Sequence, residues 1–549
     1  MENYSRRSFL KYLLGTILVN GCCSTNSLCS LEKSTSNSKK LPIIIDTHAH
    51  VFNANDLPIY GFIKKVGLGL YNHQNTGLTD EMKDGLAYML TEIAHGIGYS
   101  ATEEYEYLSN PNRESVSFNK TDFDKKLQEK LLQYKVSNDK KEKQIFKILA
   151  TELKEIQSKK LGTELDINID QILKSSDSDR EFVETLEVMF DLPFFIIRHI
   201  EWVSLLTQPR YKITEQLISD FDNKIDLFLG AMVDLDHWVE EPSQVRPTSY
   251  IEEQIAVMSI IAKEQQGRIH LFAPFDPWRL VERREMEKQS GEKNALEVVQ
   301  DAVLNHGFMG VKLYPPMGFS ATDNINHKDF PNTSTPEEAR AFGKKLDEVL
   351  EELFVWCAKH NVPIMAHCNN SNGAGKGYAE RAAPSYWESL IKKPQFAKLR
   401  INLAHFGGAE SLVSNYNKGW ALQVGRLMQE YPNIYADVGY HEGVVHGIGK
   451  EESYVEKYFS NLHKMTREFP LVKKRLMYGS DWSMIAKEKN YQNYLKDYYE
   501  QYCDKFDANE IADMFGLNAV NYLGLPNEDV KARIRNFHGG DGPGWLKCI

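Results

Sequence analysis

The chain is short of several things that would have decided its class at once. Only 20 of its 549 residues are proline, and 42% are hydrophobic with 11% aromatic, so neither disorder nor a collagen-like fibre describes its main state. Its seven cysteines form no disulfide framework. Cys22, Cys23 and Cys29 crowd the start, while Cys357, Cys368, Cys503 and Cys548 are scattered without metal-type spacing. Positive charge is in deficit, with 65 Lys and Arg against 76 Asp and Glu and a net charge of −11. An acidic body argues against nucleic acid as the partner, because phosphate binding needs clustered cations. No repeat of solenoid period is present. What remains is a globular chain long enough for two to four domains, or for one large barrel with insertions.

The N-terminus reads Ser5-Arg6-Arg7-Ser8-Phe9-Leu10-Lys11, followed by an apolar run from Tyr12 to Val19. That run is too short to span a bilayer as a mature helix and fits a secretory signal. The paired arginines resemble the bacterial twin-arginine signal, and Val19-Asn20-Gly21-Cys22 resembles a lipobox with Cys22 as the lipid acceptor. Residues 1–40 are therefore expected to be a signal and a polar tether. The resemblance implies an exported protein, periplasmic or anchored to the membrane as a lipoprotein in a bacterium.

Beyond the tether, eight short apolar runs alternate with helical stretches. They are Leu41 to Phe52, Leu227 to Asp236, Arg268 to Phe275, Met309 to Tyr314, Pro363 to Cys368, Arg400 to Phe406, Ile434 to Val438 and Arg475 to Asp481. Continuous apolar runs with helices between them indicate parallel strands covered from outside. Eight such units predict an α/β fold, a (β/α)8 TIM-type barrel. Thr335, Pro336 and Glu338 form a cap, a first-turn proline and a capping box, and predict a helix from Pro336 to Lys359. The gap after the first strand is about 170 residues, far more than a barrel connector needs. Within it, Phe123, Leu127, Leu131, Leu132, Phe146, Leu149 and Leu153 recur at helical spacing. The expected organisation is strand one at 41–52, a mostly helical insertion at 53–223, the rest of the barrel at 224–525, and a C-terminal extension at 526–549. The insertion leaves from the catalytic face of such barrels, so it reads equally as a lid or as a packing or dimer element.

Polar residues gather at the C-terminal ends of these strands. In Asp46-Thr47-His48-Ala49-His50, strand alternation turns His48 and His50 to one side. Strand five adds His367, strand six His405 and strand eight Asp481, all at the end where barrel enzymes keep their chemistry. One inward histidine is ordinarily a core residue. Four histidines and a carboxylate at matching heights point to a metal site.

This constellation resembles the amidohydrolase superfamily, specifically the amidohydrolase 2 group related to aminocarboxymuconate semialdehyde decarboxylase. The resemblance is carried by IIDTHAHVF, GVKLYPP (Gly310 to Pro316), IMAHC, NLAHFGG (Asn402 to Gly408), YGSDWS (Tyr478 to Ser483) and FGLNAVNYLGL (Phe515 to Leu525), and covers Leu41 to Leu525 apart from the insertion. It implies one divalent ion, commonly zinc, held by His48, His50, His367 and Asp481, with His405 beside it as a catalytic group. Asp481 then serves both as ligand and as acceptor of the proton of an activated water, and His405 polarises the substrate carbonyl or steadies the oxyanion.

Other residues keep several readings. Lys312 is a carbamylated bridge between two metals, an anion contact or a structural residue. Arg381, past the loop Gly373 to Gly377, is a clamp for a substrate carboxylate or a solvated loop charge. That loop lacks the Ser/Thr and upstream Gly of a P-loop, and His441 and His446 are five apart rather than the four of a zincin. Asp236, His237 and Asp276 end strands two and three and are weak candidates for the mouth. The leading expectation is a hydrolase acting on an amide, ester or lactone carbonyl of a small molecule. The alternatives are a non-oxidative decarboxylase of an unsaturated or aromatic acid, and a non-catalytic surface binding protein on a barrel scaffold. The substrate and the oligomeric state are not written in the sequence.

The N-terminal reading has a direct test by cell fractionation. Arg6→Lys with Arg7→Lys should block export, whereas Cys22→Ser should leave the protein exported but free of the membrane fraction. A cysteine variant that stays membrane-bound would make the apolar segment, not a lipid, the anchor.

Overall fold

A computed structural model describes residues 43–70, 79–94, 97–113, 120–158, 195–241, 247–286, 293–447 and 452–549. The expected signal, tether and Cys22 lie outside them. Eight parallel strands run in sequence order around one sheet: β1 (Ile45–Ala49), β2 (Leu227–Ala231), β3 (Ile269–Pro274), β4 (Gly310–Leu313), β5 (Ile364–His367), β6 (Ile401–Ala404), β7 (Ile434–Asp437) and β8 (Leu476–Met477). The edges meet: Thr47 N–H donates to Tyr478 O at 3.0 Å, Asp481 N–H to His48 O at 2.6 Å, and Ala49 bridges Trp482 in parallel. This is the (β/α)8 barrel that the eight apolar runs predict.

Each strand lies inside its predicted run and is shorter than it. The apolar residues form the ladder, and the polar residues that follow leave it. His405 and Asp481 stand just beyond β6 and β8 in left-handed backbone, with φ of 70° and 59°, rather than inside the strands. Tyr440, beyond β7, shares this conformation at 55°. Non-glycine residues hold such backbone only where their surroundings over-determine it, and functional sites are where they gather.

The predicted helix forms over Pro336–His360, with the Thr335 hydroxyl accepting from Glu338 N–H at 3.2 Å. The floor of the barrel is closed from below. Leu229, Phe272, Met365 and Met477 form one buried cluster with Tyr522, Leu525, Ile534 and Trp545 of the chain's last segment. The Trp545 indole fixes this plug by donating to Gly267 O at 2.7 Å.

Between β1 and β2 the described residues are largely helical: Asp80–Ala94, Ala101–Ser109, Lys120–Val136, Lys140–Ser158, Phe195–Leu206 and Arg210–Asp220. Of the predicted apolar positions, Phe123, Leu127, Leu131, Phe146, Leu149 and Leu153 are buried. Leu132 is 39% exposed, because it directly follows the buried Leu131 and adjacent helical residues point about 100° apart. The insertion rests on the C-terminal side of the barrel. Lys65 Nζ reaches Trp238 O beyond β2 at 3.4 Å, Arg198 Nε donates to Lys487 O beyond β8 at 2.9 Å, and the Trp482 indole donates to Asp220 at 2.8 Å. No described helix is long and apolar enough to cross a membrane.

One buried cation fastens the insertion to itself and to the barrel. Arg210 is fully buried and pairs with Asp56 and with Glu104 at 2.7 Å, and its guanidinium also reaches Ser249 at 3.2 Å. Removing one partner of such a group strands the remaining charges, at a cost of about 3–5 kcal/mol. Arg210→Met should therefore lower the thermal midpoint and expose the insertion to limited proteolysis ahead of the barrel. An unchanged cleavage pattern would contradict this anchoring role.

Candidate metal centre

β1 delivers His48 and His50 to the mouth, and the turn after β8 delivers Asp481. His50 donates through Nδ1–H to Ala231 O at 2.7 Å, and His48 through Nδ1–H to Asp437 Oδ1 at 3.2 Å. Each imidazole is thereby fixed in the tautomer whose Nε2 carries a lone pair. Both lone pairs face Asp481 Oδ1, at 3.3 Å from His48 and 3.2 Å from His50. That oxygen is buried and has no hydrogen-bond partner. Three electron-rich atoms of buried residues converging on one point, one of them an unpartnered carboxylate oxygen, match the donor set of a divalent ion, and zinc takes such N and O ligands.

The surroundings are built to hold this arrangement. Asp437 ends β7, is fully buried, and accepts from His48 Nδ1, from Asn402 Nδ2 at 2.7 Å, from His405 N–H at 3.1 Å and from Gly439 N–H at 2.9 Å. Burial alone would raise its pKa, but the His48 imidazole and these donors hold it well below the usual carboxylate range. Burial likewise works against Asp481, whose neighbours His48, His50 and His405 keep it low. His48 is pushed down to about 4 by burial and by the nearby Lys312. Asp46 braces the other side, accepting from His48 N–H and from Ser480 N–H, each at 3.0 Å. Gly439 and Gly479 leave room for the ring: a Cβ at either would come within 2.9 Å of His48.

The predicted ligand set is only partly brought together. His48, His50 and Asp481 converge, whereas His367 stands one ring further off. His405 gives its Nδ1–H to Gly439 O at 2.9 Å, so its Nε2 accepts from His367 Nδ1–H at 3.0 Å, and His367 Nε2 accepts from the Ser371 hydroxyl at 3.2 Å. His405 in turn lies 4.8 Å from His48, ring to ring, and the four imidazoles form one continuous cluster. Lys312 does point inward. It is 2% exposed and its Nζ stands 3.2 Å from His48 Nε2, with burial lowering its pKa to about 8.

Arg381 serves neither of the roles expected of it. It is 6% exposed, so it is no solvated loop charge, and its guanidinium is committed to Gly318 O and to Asp329 while lying 3.9 Å over the Tyr378 ring. It locks the loops after β4 and β5 together. His237 and Asp276 bond to each other at 2.8 Å and Asp236 to Arg279 at 2.7 Å, so these mouth candidates satisfy one another. His441 is buried beneath the site, donating from Nε2 to His405 O at 2.9 Å and accepting at Nδ1 from the Tyr458 hydroxyl. Asp437 is a site residue that no sequence motif marks; its one signal is a lone carboxylate at the end of an otherwise apolar strand.

Because Asp437 fixes the tautomer and direction of His48, Asp437→Asn should weaken zinc binding about 10- to 100-fold without removing a ligand. Competition with a chelating dye measures this. Affinity equal to wild type would remove Asp437 from the design of the site.

Residues 291–525 match the family model Amidohydro_2, described as Amidohydrolase. The match spans β4 to β8 and includes Lys312, His367, His405, Asp437 and Asp481. No curated protein matches the chain. Among solved structures, an amidohydrolase from Burkholderia multivorans with bound Zn is 13% identical with a TM-score of 0.35, over 59% of this chain and 91% of its own. The 5-carboxyvanillate decarboxylase of Novosphingobium aromaticivorans, complexed with manganese and a nitrobenzoic acid, is 12% identical with a TM-score of 0.35, over 62% and 87%. Amidohydrolase 2 from Bifidobacterium longum subsp. infantis is 11% identical with a TM-score of 0.30, over 57% and 86%. Over residues 291–525, which carry β4 to β8, the chain is therefore similar to the amidohydrolase family.

Proposed function

We propose that the protein is a metal-dependent hydrolase acting on an amide, ester or lactone carbonyl of a small molecule. The observation that carries this reading is the unpartnered Asp481 Oδ1, buried between two Nε2 lone pairs. His48, His50 and Asp481 would hold one divalent ion, preferentially zinc, and His367 is the remaining member of the proposed set. When bound, the ion supplies Lewis acidity to an oxygen in the dry mouth of the barrel.

The chain's own residues divide the rest of the work. Asp481, ionised and with an oxygen to spare, accepts the proton of the attacking water and can return it to the leaving group. His405 is held by Gly439 O on one side and Asp437 on its backbone side, which fixes its ring beside the three donor atoms. From there it steadies the oxyanion formed from the substrate carbonyl. Hydrolysis needs a base at this position. Decarboxylation instead needs a proton delivered to carbon, and release of carbon dioxide separates the two reactions. The N-terminal signal belongs to the same proposal, as export before or with metal loading.

Metal content and turnover of one set of preparations test the division of roles. Asp481→Asn should nearly abolish turnover on a panel of amides, esters and lactones. His405→Asn should lower kcat at least 100-fold yet keep about one ion per chain. His48→Ala and His367→Ala should lose ion and activity together. Loss of the ion from His405→Asn would make that residue a ligand, and release of carbon dioxide from an aromatic acid would move the protein to the decarboxylase reading.

A further inference from the structure

Several enclosed cations among the described residues have carboxylate partners: the buried Arg210 has Asp56 and Glu104, the half-buried Arg279 has Asp234 and Asp236, and the buried Lys65 has Glu241. Lys487, which is half-buried, is different. It ends the turn Met484–Lys487 that follows Asp481, and that turn is tied to the site by Ile485 N–H donating to Asp481 O at 3.1 Å. Its ammonium stands 5.8 Å from the centre of the Trp202 ring and 5.3 Å from that of Tyr440, and no described residue accepts a hydrogen bond from it. The neighbouring carboxylate of Glu488 is taken by the Tyr440 hydroxyl at 2.7 Å.

Trp202 carries the second unspent donor. It belongs to the insertion helix Phe195–Leu206, is 1% exposed, and its indole Nε1 has no acceptor. Buried donors are normally paired, and an orphan is costly unless something else supplies the acceptor. Between Trp202 and the metal centre runs a row of rings: Trp202 to Phe62 at 5.8 Å, Phe62 to Phe52 at 5.5 Å, and Phe52 to His50 at 6.0 Å. A cation and a buried N–H, both without acceptors, thus lie at one end of an aromatic wall whose other end is a proposed ligand.

We propose that Lys487 and Trp202 form an anion-recognition site, which takes a carboxylate carried on a planar, apolar substrate whose reacting group lies at the metal centre. The insertion supplies Trp202 and the barrel supplies Lys487, so specificity is set where the two meet. Burial lowers the Lys487 pKa, with Glu488, Asp481 and Glu442 acting in the opposite direction, as expected of an ammonium in a partly dry site near these carboxylates. The inference rests on the mouth being the active site.

The test uses the full-length, metal-loaded protein and calorimetric titration with benzoate, isophthalate and terephthalate. Benzoate can place its one carboxylate at the metal centre or at Lys487 but not at both, whereas a dicarboxylate of the right spacing can occupy the two together. Wild type should bind one dicarboxylate at least tenfold more tightly than benzoate. Lys487→Met should erase that preference, Lys487→Arg should restore it, and Trp202→Phe, which keeps a ring without the N–H, should reduce it about threefold. No preference in wild type, a preference that survives Lys487→Met, or no binding of any probe would overturn the proposal. Metal analysis of the same samples separates the two readings. Absence of the ion defeats the metal centre, while ion retained without charge selectivity defeats this site alone.

Discussion

Everything at the mouth depends on the seam where β1 meets β8. Asp46 bonds the Ser480 backbone and hydroxyl, Thr47 N–H bonds Tyr478 O, and Asp481 N–H bonds His48 O. These contacts join segments more than 430 residues apart in the chain. They set Asp481 against the two β1 imidazoles, and without them there is no three-donor site. Closing so long a loop costs conformational entropy, although that cost grows only slowly with length, which is why a large insertion can sit inside the seam's span. The Trp545 plug below and the Arg210 anchor above act on the same closed ring.

The parts of this architecture that obey a period were legible in the sequence. Apolar runs located all eight strands, the Thr335 capping box located a helix start, and the alternation of His48 and His50 placed two imidazoles together. What the sequence hid was anything decided by partners distant in the chain. Asp437 matters because Asn402, His405 and His48 converge on it, and no local pattern announces that. Arg381 looks like a free loop charge until the loops after β4 and β5 fold over it. His367 sits at the predicted height, yet its Nδ1–H is spent on His405, a choice of rotamer and tautomer that spacing does not encode. His405 and Asp481 were placed at strand ends, but left-handed backbone turns both out of the ladder.

The insertion was legible as helical and undecided as to role. Its contacts answer part of that question in physical terms. It covers the C-terminal side of the barrel through Lys65, Arg198 and Asp220, and it builds the aromatic wall beside His50 from Phe62 and Trp202. A wall of this kind excludes water, which strengthens every electrostatic interaction at the centre it borders. Chemistry held by the barrel and selectivity held at the junction with the insertion is the division of labour expected when one scaffold serves many reactions.

The metal centre proposed here is one divalent ion held by His48, His50 and Asp481, and X-ray absorption at the zinc edge of the loaded protein reads its ligand shell. Such a centre requires one ion per chain with a mixed shell of imidazole nitrogen at about 2.0–2.1 Å and carboxylate oxygen at about 2.0–2.2 Å, including at least two imidazoles. A shell of oxygen alone, a sulfur ligand, or a protein that takes up no ion would contradict it.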